Sequence, residues 1–403
     1  MYSKKIQFKN KNRLLLDGNI DFPIDQQPLA FALFAHFFTG NKNFTAVRNI
    51  SRSLTRNRIA VMRFDFTGLG NSEGNFADSN FSTNIDDLIA AANYLEQYHE
   101  APKIVVGHSL GGAAAIYAAD AIDAIQAVAT IGSPANPSHV EHLFEDHIEK
   151  IELEGEATFE ISGRQFTIKK QFIDDLSSKD MTMHLKQMRK PLLVMHSPQD
   201  KIVEIENARH IYNAAHHPKS FISLDRANHL LTNKADSFYV GETIASWATR
   251  YVSFKKVREL ETDKQTVVRI GRSKYRTEVA ARSHSVIADE PKKYGGTDAG
   301  FTPYELLLSS LGSCTAITLR MYADRKKWDL DEVLVHLEHF KQHAEDSHDC
   351  NDDKTAKIDK FVRTIELVGN LTYEERKRLL EIANRCPVHR TLENKIEIDT
   401  VLR

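Results

Sequence analysis

Six short apolar runs, set apart by stretches of helical periodicity, occupy the first 250 residues, and that alternation leaves few folds open. Leu29–Ala35, Ile59–Phe64, Lys103–Val106, Ala127–Ile131, Leu192–Met195 and Ser220–Leu224 read as strands. Strands alternating with amphipathic helices are the pattern of βαβ units, so an α/β fold with a doubly wound, mostly parallel sheet is expected. The rhythm breaks between Pro134 and Pro191. There Ala157–Lys169 alternates about Ser162 and Gly163, which predicts a hairpin within a cap insertion covering about 134–191.

The chain has 403 residues, more than the roughly 250–300 at which a single hydrophobic core stops growing, so two domains are expected. Tyr251–Asp263 is charged and lacks a sheet-like pattern, and the boundary is placed there, giving domains 1–254 and 255–403. Beyond it the sequence predicts an α+β unit: strands at Val267–Ile270 and Tyr275–Ala281, a long helix over Thr302–Lys326, strands at Val333–Phe340 and Lys360–Val368, and a helix at Tyr373–Asn384. Thr302, Pro303 and Glu305 open the long helix as a capping box with Pro at its first position.

Basic and acidic side chains number 53 and 55, a balance that gives no electrostatic reason for binding nucleic acid or an anionic membrane. A small-molecule substrate is the default. The residues after Met1 form no apolar leader, and the longest apolar stretch stops at His36, short of a membrane span, so a soluble, cytoplasmic protein is expected. Three cysteines are too few for a disulfide framework at this length.

Gly107-His108-Ser109-Leu110-Gly111 has the form G-x-S-x-G and lies between an apolar strand and the helical run from Ala113. That context suits a nucleophile exposed on a sharp strand-to-helix turn. A serine hydroxyl needs a base to take its proton and a carboxylate to orient the base. Asp200 follows the strand Leu192–Met195, and His229 follows the next strand, so both fall where active sites of such sheets gather, at the carboxyl ends of the strands. Ser109, Asp200 and His229 are therefore the expected catalytic triad. His36 and His108, close to the same site in sequence, read as packing or loop-ordering residues.

Together with Phe34–Gly40, Arg63–Gly74, Ser197–Asp200 and Asn228-His229, these segments resemble the α/β-hydrolase superfamily, in its lysophospholipase-like and peptidase-like branch. The resemblance implies an oxyanion hole formed by the backbone N–H groups of Phe38 and Leu110. Phe37 occupies a position at which that superfamily commonly carries Gly.

Two cysteines stand out in the second domain. Cys314 lies in the long helix among Ser309, Ser310, Gly312 and Ser313, where a buried thiol would ordinarily be a small hydrophobe. Cys386 follows a helix in Cys386-Pro387-Val388, between Arg385 and Arg390, cations that favour a thiolate. These segments are similar to the OsmC/Ohr family of thiol-dependent hydroperoxide reductases, over about residues 256–403. The resemblance implies that Cys314 attacks an organic hydroperoxide, that Cys386 resolves the sulfenic acid as a disulfide, and that an external dithiol restores the pair. It also implies an intertwined homodimer. In the family a Glu ten residues before the helical cysteine pairs with an activating Arg. Tyr304 holds that offset here and Glu305 comes one residue later, a rotation of about 100° on a helix. Arg272, Arg276 and Arg282 are the candidate partners, with Arg282 taken as the first choice.

The stretch from His339 through His343, His348 and Cys350 to Asp353 contains metal-ligand types without the spacing of a tetrahedral site, and a solvated acidic loop is the expected reading. No metal and no bound cofactor are expected. The sequence thus points to a bifunctional enzyme, a serine esterase or thioesterase acting on small ester or acyl substrates joined to an organic hydroperoxide reductase. The alternative is a hydrolase whose second domain is a redox-silent dimerisation or ligand-binding module.

Overall fold

The computed structural model describes residues 2–23, 27–161, 163–255, 260–271, 275–343 and 357–402. The chain divides into two compact units, Met1–Glu259 and Leu260–Arg403.

In the first unit the elements run β1 (Tyr2–Lys9), β2 (Leu15–Phe22), β3 (Ala30–Ala35), α1 (Thr45–Arg56), β4 (Ile59–Phe64), α2 (Phe81–Tyr98), β5 (Ile104–His108), α3 (Leu110–Ala121) and β6 (Ala127–Ile131). An insertion follows, with α4 (Glu145–Glu154), β7 (Glu156–Ile161), β8 (Arg164–Lys169), α5 (Lys170–Ser177) and α6 (Met181–Gln187). The unit closes with β9 (Leu192–His196), α7 (Ile205–Ala214), β10 (Lys219–Ser223) and α8 (Lys234–Ala248). The main sheet has the order β1-β2-β4-β3-β5-β6-β9-β10. From β4 to β10 its neighbours are parallel, while β1 and β2 extend it as an antiparallel hairpin. The chain passes from β3 outward to β4 and then back across to β5. This switch of direction opens a crevice at the carboxyl ends of β3 and β5.

The central strands β3, β4, β5, β6 and β9 are buried throughout, which is why they read as near-continuous apolar runs instead of alternating. Along β3, Ala30, Ala32 and Phe34 pack with Ile50, Leu54, Val240 and Ile244 of α1 and α8. Phe31, Leu33 and Ala35 pack with Leu88, Ala91 and Ile116 of α2 and α3 on the opposite face. β7 and β8 form the expected hairpin, whose inward residues Ala157, Phe159, Phe166 and Ile168 join the second of these clusters.

The second unit comprises β11 (Val267–Ile270), β12 (Thr277–Ala281), β13 (His284–Ala288), α9 (Pro303–Lys326), β14 (Glu332–His343), β15 (Lys357–Val368), α10 (Tyr373–Ala383) and α11 (Pro387–Glu393). β11, β12 and β13 make one antiparallel sheet, and β14 and β15 another. The capping box at the start of α9 is formed as expected, with Thr302 Oγ1 accepting from Glu305 N–H and Glu305 Oε2 accepting from Thr302 N–H. Its buried apolar cluster is small: Leu319, Ala323, Leu330, Leu379, Ile382 and Ala383. Arg272 and the loop carrying His348, Cys350 and Asp353 lie outside the described residues. Among the described residues no His, Cys, Asp or Glu side chains gather in a group that could hold a metal ion.

Candidate active site and cysteine centre

Ser109 sits between β5 and α3 at φ 56°, ψ −127°. A side chain held in that region stores strain, on the order of 1–3 kcal/mol, which persists only where the surroundings impose it. Here they do. Ser109 N–H donates to Ile131 C=O of β6 at 2.8 Å, and a Cβ on Gly111 would lie 2.4 Å from the carbonyl oxygen of His36. Close backbone approach is thus what the second motif glycine permits.

The three residues named from the sequence converge. His229 Nε2 lies 2.9 Å from Ser109 Oγ, and His229 Nδ1 lies 2.7 Å from Asp200 Oδ2. Asp200 Oδ1 accepts from the N–H groups of Ile202 and Val203 at 2.9 and 3.0 Å. Burial on its own raises a carboxyl pKa, but the His229 hydrogen bond and charge and the two backbone donors outweigh it and hold Asp200 below its ordinary value. An ionised Asp200 requires the proton of His229 to sit on Nδ1, leaving Nε2 free to accept from the serine.

Three further histidines surround this pair. His108 Nε2–H donates to the backbone carbonyl of His229 at 2.7 Å, His196 Nε2–H donates to Val203 C=O at 2.8 Å, and His36 Nδ1–H donates to Phe37 C=O at 2.9 Å. Burial lowers all three, His36 to about 4 and His108 to about 3, so each is a neutral hydrogen-bond donor at physiological pH. His36 and His108 order the loops that carry Phe38 and His229. His196, which the sequence reading did not single out, braces the loop of Asp200.

Leu110 is the first residue of α3, and its N–H has no acceptor within the helix. Phe38 belongs to the loop after β3, and that loop is held by buried charges. Lys42 Nζ bridges Asp17 and Asp65, each at 2.5 Å, while Arg63 pairs with Asp21 at 2.6 Å and donates to the backbone carbonyl of Lys42 at 2.7 Å. Arg63 lies in an otherwise apolar strand. A charge there needs partners, and this is the signal by which the network could have been foreseen.

In the second unit, Cys386 is fully buried at the start of α11, with Sγ 3.3 Å from His389 N and 3.7 Å from Thr315 Oγ1. Cys314, half-buried, precedes Thr315 on α9. Both thiols are free. Two of the residues expected to activate Cys314, Glu305 and Arg282, are placed as follows. Glu305 has its carboxylate in the α9 cap, because the one-residue displacement puts it at the capping position. Arg282 stands exposed at φ 57° in the turn between β12 and β13. Arg363 of β15 shares a neighbour with Cys386, the Thr315 hydroxyl. It donates to Thr315 Oγ1 at 2.8 Å, to Ala383 C=O at 3.2 Å and to Asn384 Oδ1 at 2.7 Å.

Comparison with known proteins gives two family matches. The serine aminopeptidase, S33 family matches residues 34–151, and the OsmC-like protein family matches residues 296–401. Among solved structures, the esterase domain of a Rhodothermus marinus protein is 46% identical, with TM-score 0.53, covering 62% of this chain and 99% of that one. Alpha/beta hydrolase domain-containing protein 10 from mouse, at 22% identity, TM-score 0.51 and coverage of 61% and 99%, shares the fold. The curated mitochondrial palmitoyl-protein thioesterase ABHD10 of Mus musculus is 37% identical over 76 residues, which is 19% of this chain and 24% of that protein. The rat protein of the same name is 34% identical over 80 residues, 20% and 25% of the two chains. The chain therefore matches about a quarter of the length of these curated relatives.

Proposed function

On the premise that the chain belongs to the α/β-hydrolases and carries an OsmC-like domain behind its hydrolase, we propose that it cleaves small carboxylic esters or thioesters through Ser109. The carrying observation is the continuous line from Ser109 Oγ to His229 Nε2 and from His229 Nδ1 to Asp200, at 2.9 and 2.7 Å. His229 takes the Ser109 proton as Oγ attacks the acyl carbon, and the N–H groups of Leu110 and Phe38 receive the charge that develops on the carbonyl oxygen. His229 then passes the proton to the leaving alcohol or thiol. A water, deprotonated by the same base, releases the acid and regenerates Ser109.

In the second domain the proposed chemistry is reduction of an organic hydroperoxide. The Cys314 thiolate attacks the O–O bond, forming S–O and releasing the alcohol. Cys386 displaces water from the sulfenic acid to form a disulfide, and an external dithiol reduces that disulfide. Cys386, beside Thr315 on the helix that carries Cys314, supports this reading. The domain is also proposed to join two chains. A groove along α9 bordered by Phe301, Leu308, Gly312, Ala316, Val335 and Leu337, beside so small a buried core, leaves apolar surface for a second copy to cover.

Ser109→Ala is expected to abolish hydrolysis of p-nitrophenyl acetate and to leave dithiol-dependent consumption of cumene hydroperoxide intact. Loss of both activities together would refute independent sites. Cys314→Ser is expected to do the reverse, and unchanged hydroperoxide turnover in that variant would rule out the peroxidase.

A further inference from the structure

The turn that presents Phe38 N–H is strained and is fastened from outside by the insertion. Gly40 N–H donates to Phe37 C=O at 2.9 Å, closing a four-residue turn with Thr39 in third place at φ 58°. Positive φ at that place belongs to Gly or Asn, and a β-branched residue adopts it only under constraint. On the inner side, His36 donates to Phe37 C=O. On the outer side, the guanidinium of Arg164, the first residue of β8, donates through Nη2 to the carbonyl of Thr39 while lying over the Phe166 ring, 5.2 Å from its centroid. Phe172 of α5 and Phe76 flank the Phe38 ring at 5.7 and 5.6 Å.

Resting on the serine-hydrolase reading, we propose that Arg164 is a positioning residue for hydrolysis, a latch by which the insertion holds Thr39 at positive φ and so keeps Phe38 N–H aimed at the oxyanion. Without the latch Thr39 relaxes toward negative φ, Gly40 N–H swings off Phe37 C=O, and the peptide plane shared by Phe37 C=O and Phe38 N–H is left held on one side only. The donor then leaves the place where transition-state charge forms, while ground-state binding of the ester is little changed. That distinction separates positioning from substrate contact, since a group binding ester and transition state alike would move KM and spare kcat.

The test uses the full chain with p-nitrophenyl acetate. Loss of a whole oxyanion donor costs about a hundredfold or more in kcat, and a loosened one should cost about tenfold. Arg164→Ala is therefore expected to lower kcat about tenfold with KM nearly constant, and Arg164→Lys, which keeps one donor, to fall between. Adding Thr39→Gly to Arg164→Ala is expected to recover most of the lost kcat, because Gly takes positive φ without strain. An unchanged kcat in Arg164→Ala, a rise in KM alone, or no recovery in the double variant would each overturn the latch. The hydrolase reading fails separately, if the unaltered chain neither turns over the ester nor takes a fluorophosphonate label at Ser109.

Discussion

Three neutral, buried histidines around one triad give the first domain a characteristic response to acid. His36 and His108 have folded values near 4 and 3, against 6.5 for the free side chain, and His196 is displaced the same way. Between about pH 6.5 and pH 4 the unfolded chain holds protons on His36 and His108 that the folded chain does not. Stability should therefore be fully present above pH 6.5 and fall as the pH drops through that window, by roughly 1.4 kcal/mol per pH unit for each of these two, with His196 acting in the same direction. Urea midpoints measured across the window would show the slope. His108→Gln, which keeps an N–H for the His229 carbonyl, should reduce that slope by about one proton's worth. At this scale the triad was legible because motif, chain order and strand ends agreed on Ser109, Asp200 and His229. Arg363 was not, because an arginine in an alternating strand reads as a solvent-facing residue until the packing of α9 and the end of α10 brings Thr315 and Asn384 to it.

Among the elements, the elbow between β5 and α3 depends on β3 as much as on its own sequence. The carbonyls of Ala35 and His36 crowd Gly111, where an added Cβ would stand 2.5 and 2.4 Å from their oxygens. Both contacts are backbone, so they cannot yield by a side-chain rotation. Gly111→Ala should push Leu110 N–H and the loop after β3 apart, and a misplacement near 1 Å costs about a hundredfold in rate. Ester turnover assayed beside a thermal melt would separate that loss from simple unfolding. The parallel strands were legible from their apolar runs because a sheet covered on both faces has no alternation to confuse the period. By contrast β13 and α11 escaped notice. β13 is only five residues long, exposed at its start and buried at its end with no alternation, and α11 begins at a Pro directly after Cys386, where a turn is the simpler local reading.

For the whole molecule, the placement of the boundary decides what can be cut. Lys255 N–H donates to Leu29 C=O at 3.0 Å and Lys255 Nζ pairs with Glu100 at 2.6 Å, so the hydrolase keeps hold of its chain slightly past residue 254. A fragment ending at Glu259 should retain esterase activity and run as a monomer in size-exclusion chromatography with light scattering, while the full chain runs as a dimer. A dimeric fragment would remove the assembly role from the OsmC-like domain. The ion pairs that hold the loop of Phe38 carry one more consequence, for heat. The penalty for stripping water from ions shrinks as temperature rises, because ion hydration carries a strongly negative entropy. Lys42 with Asp17 and Asp65, and Arg63 with Asp21, therefore grip that loop relatively better in a warm protein than in a cool one, while hydrophobic contacts gain little more. The loop proposed to hold an oxyanion donor is thus anchored by contacts that warming weakens little.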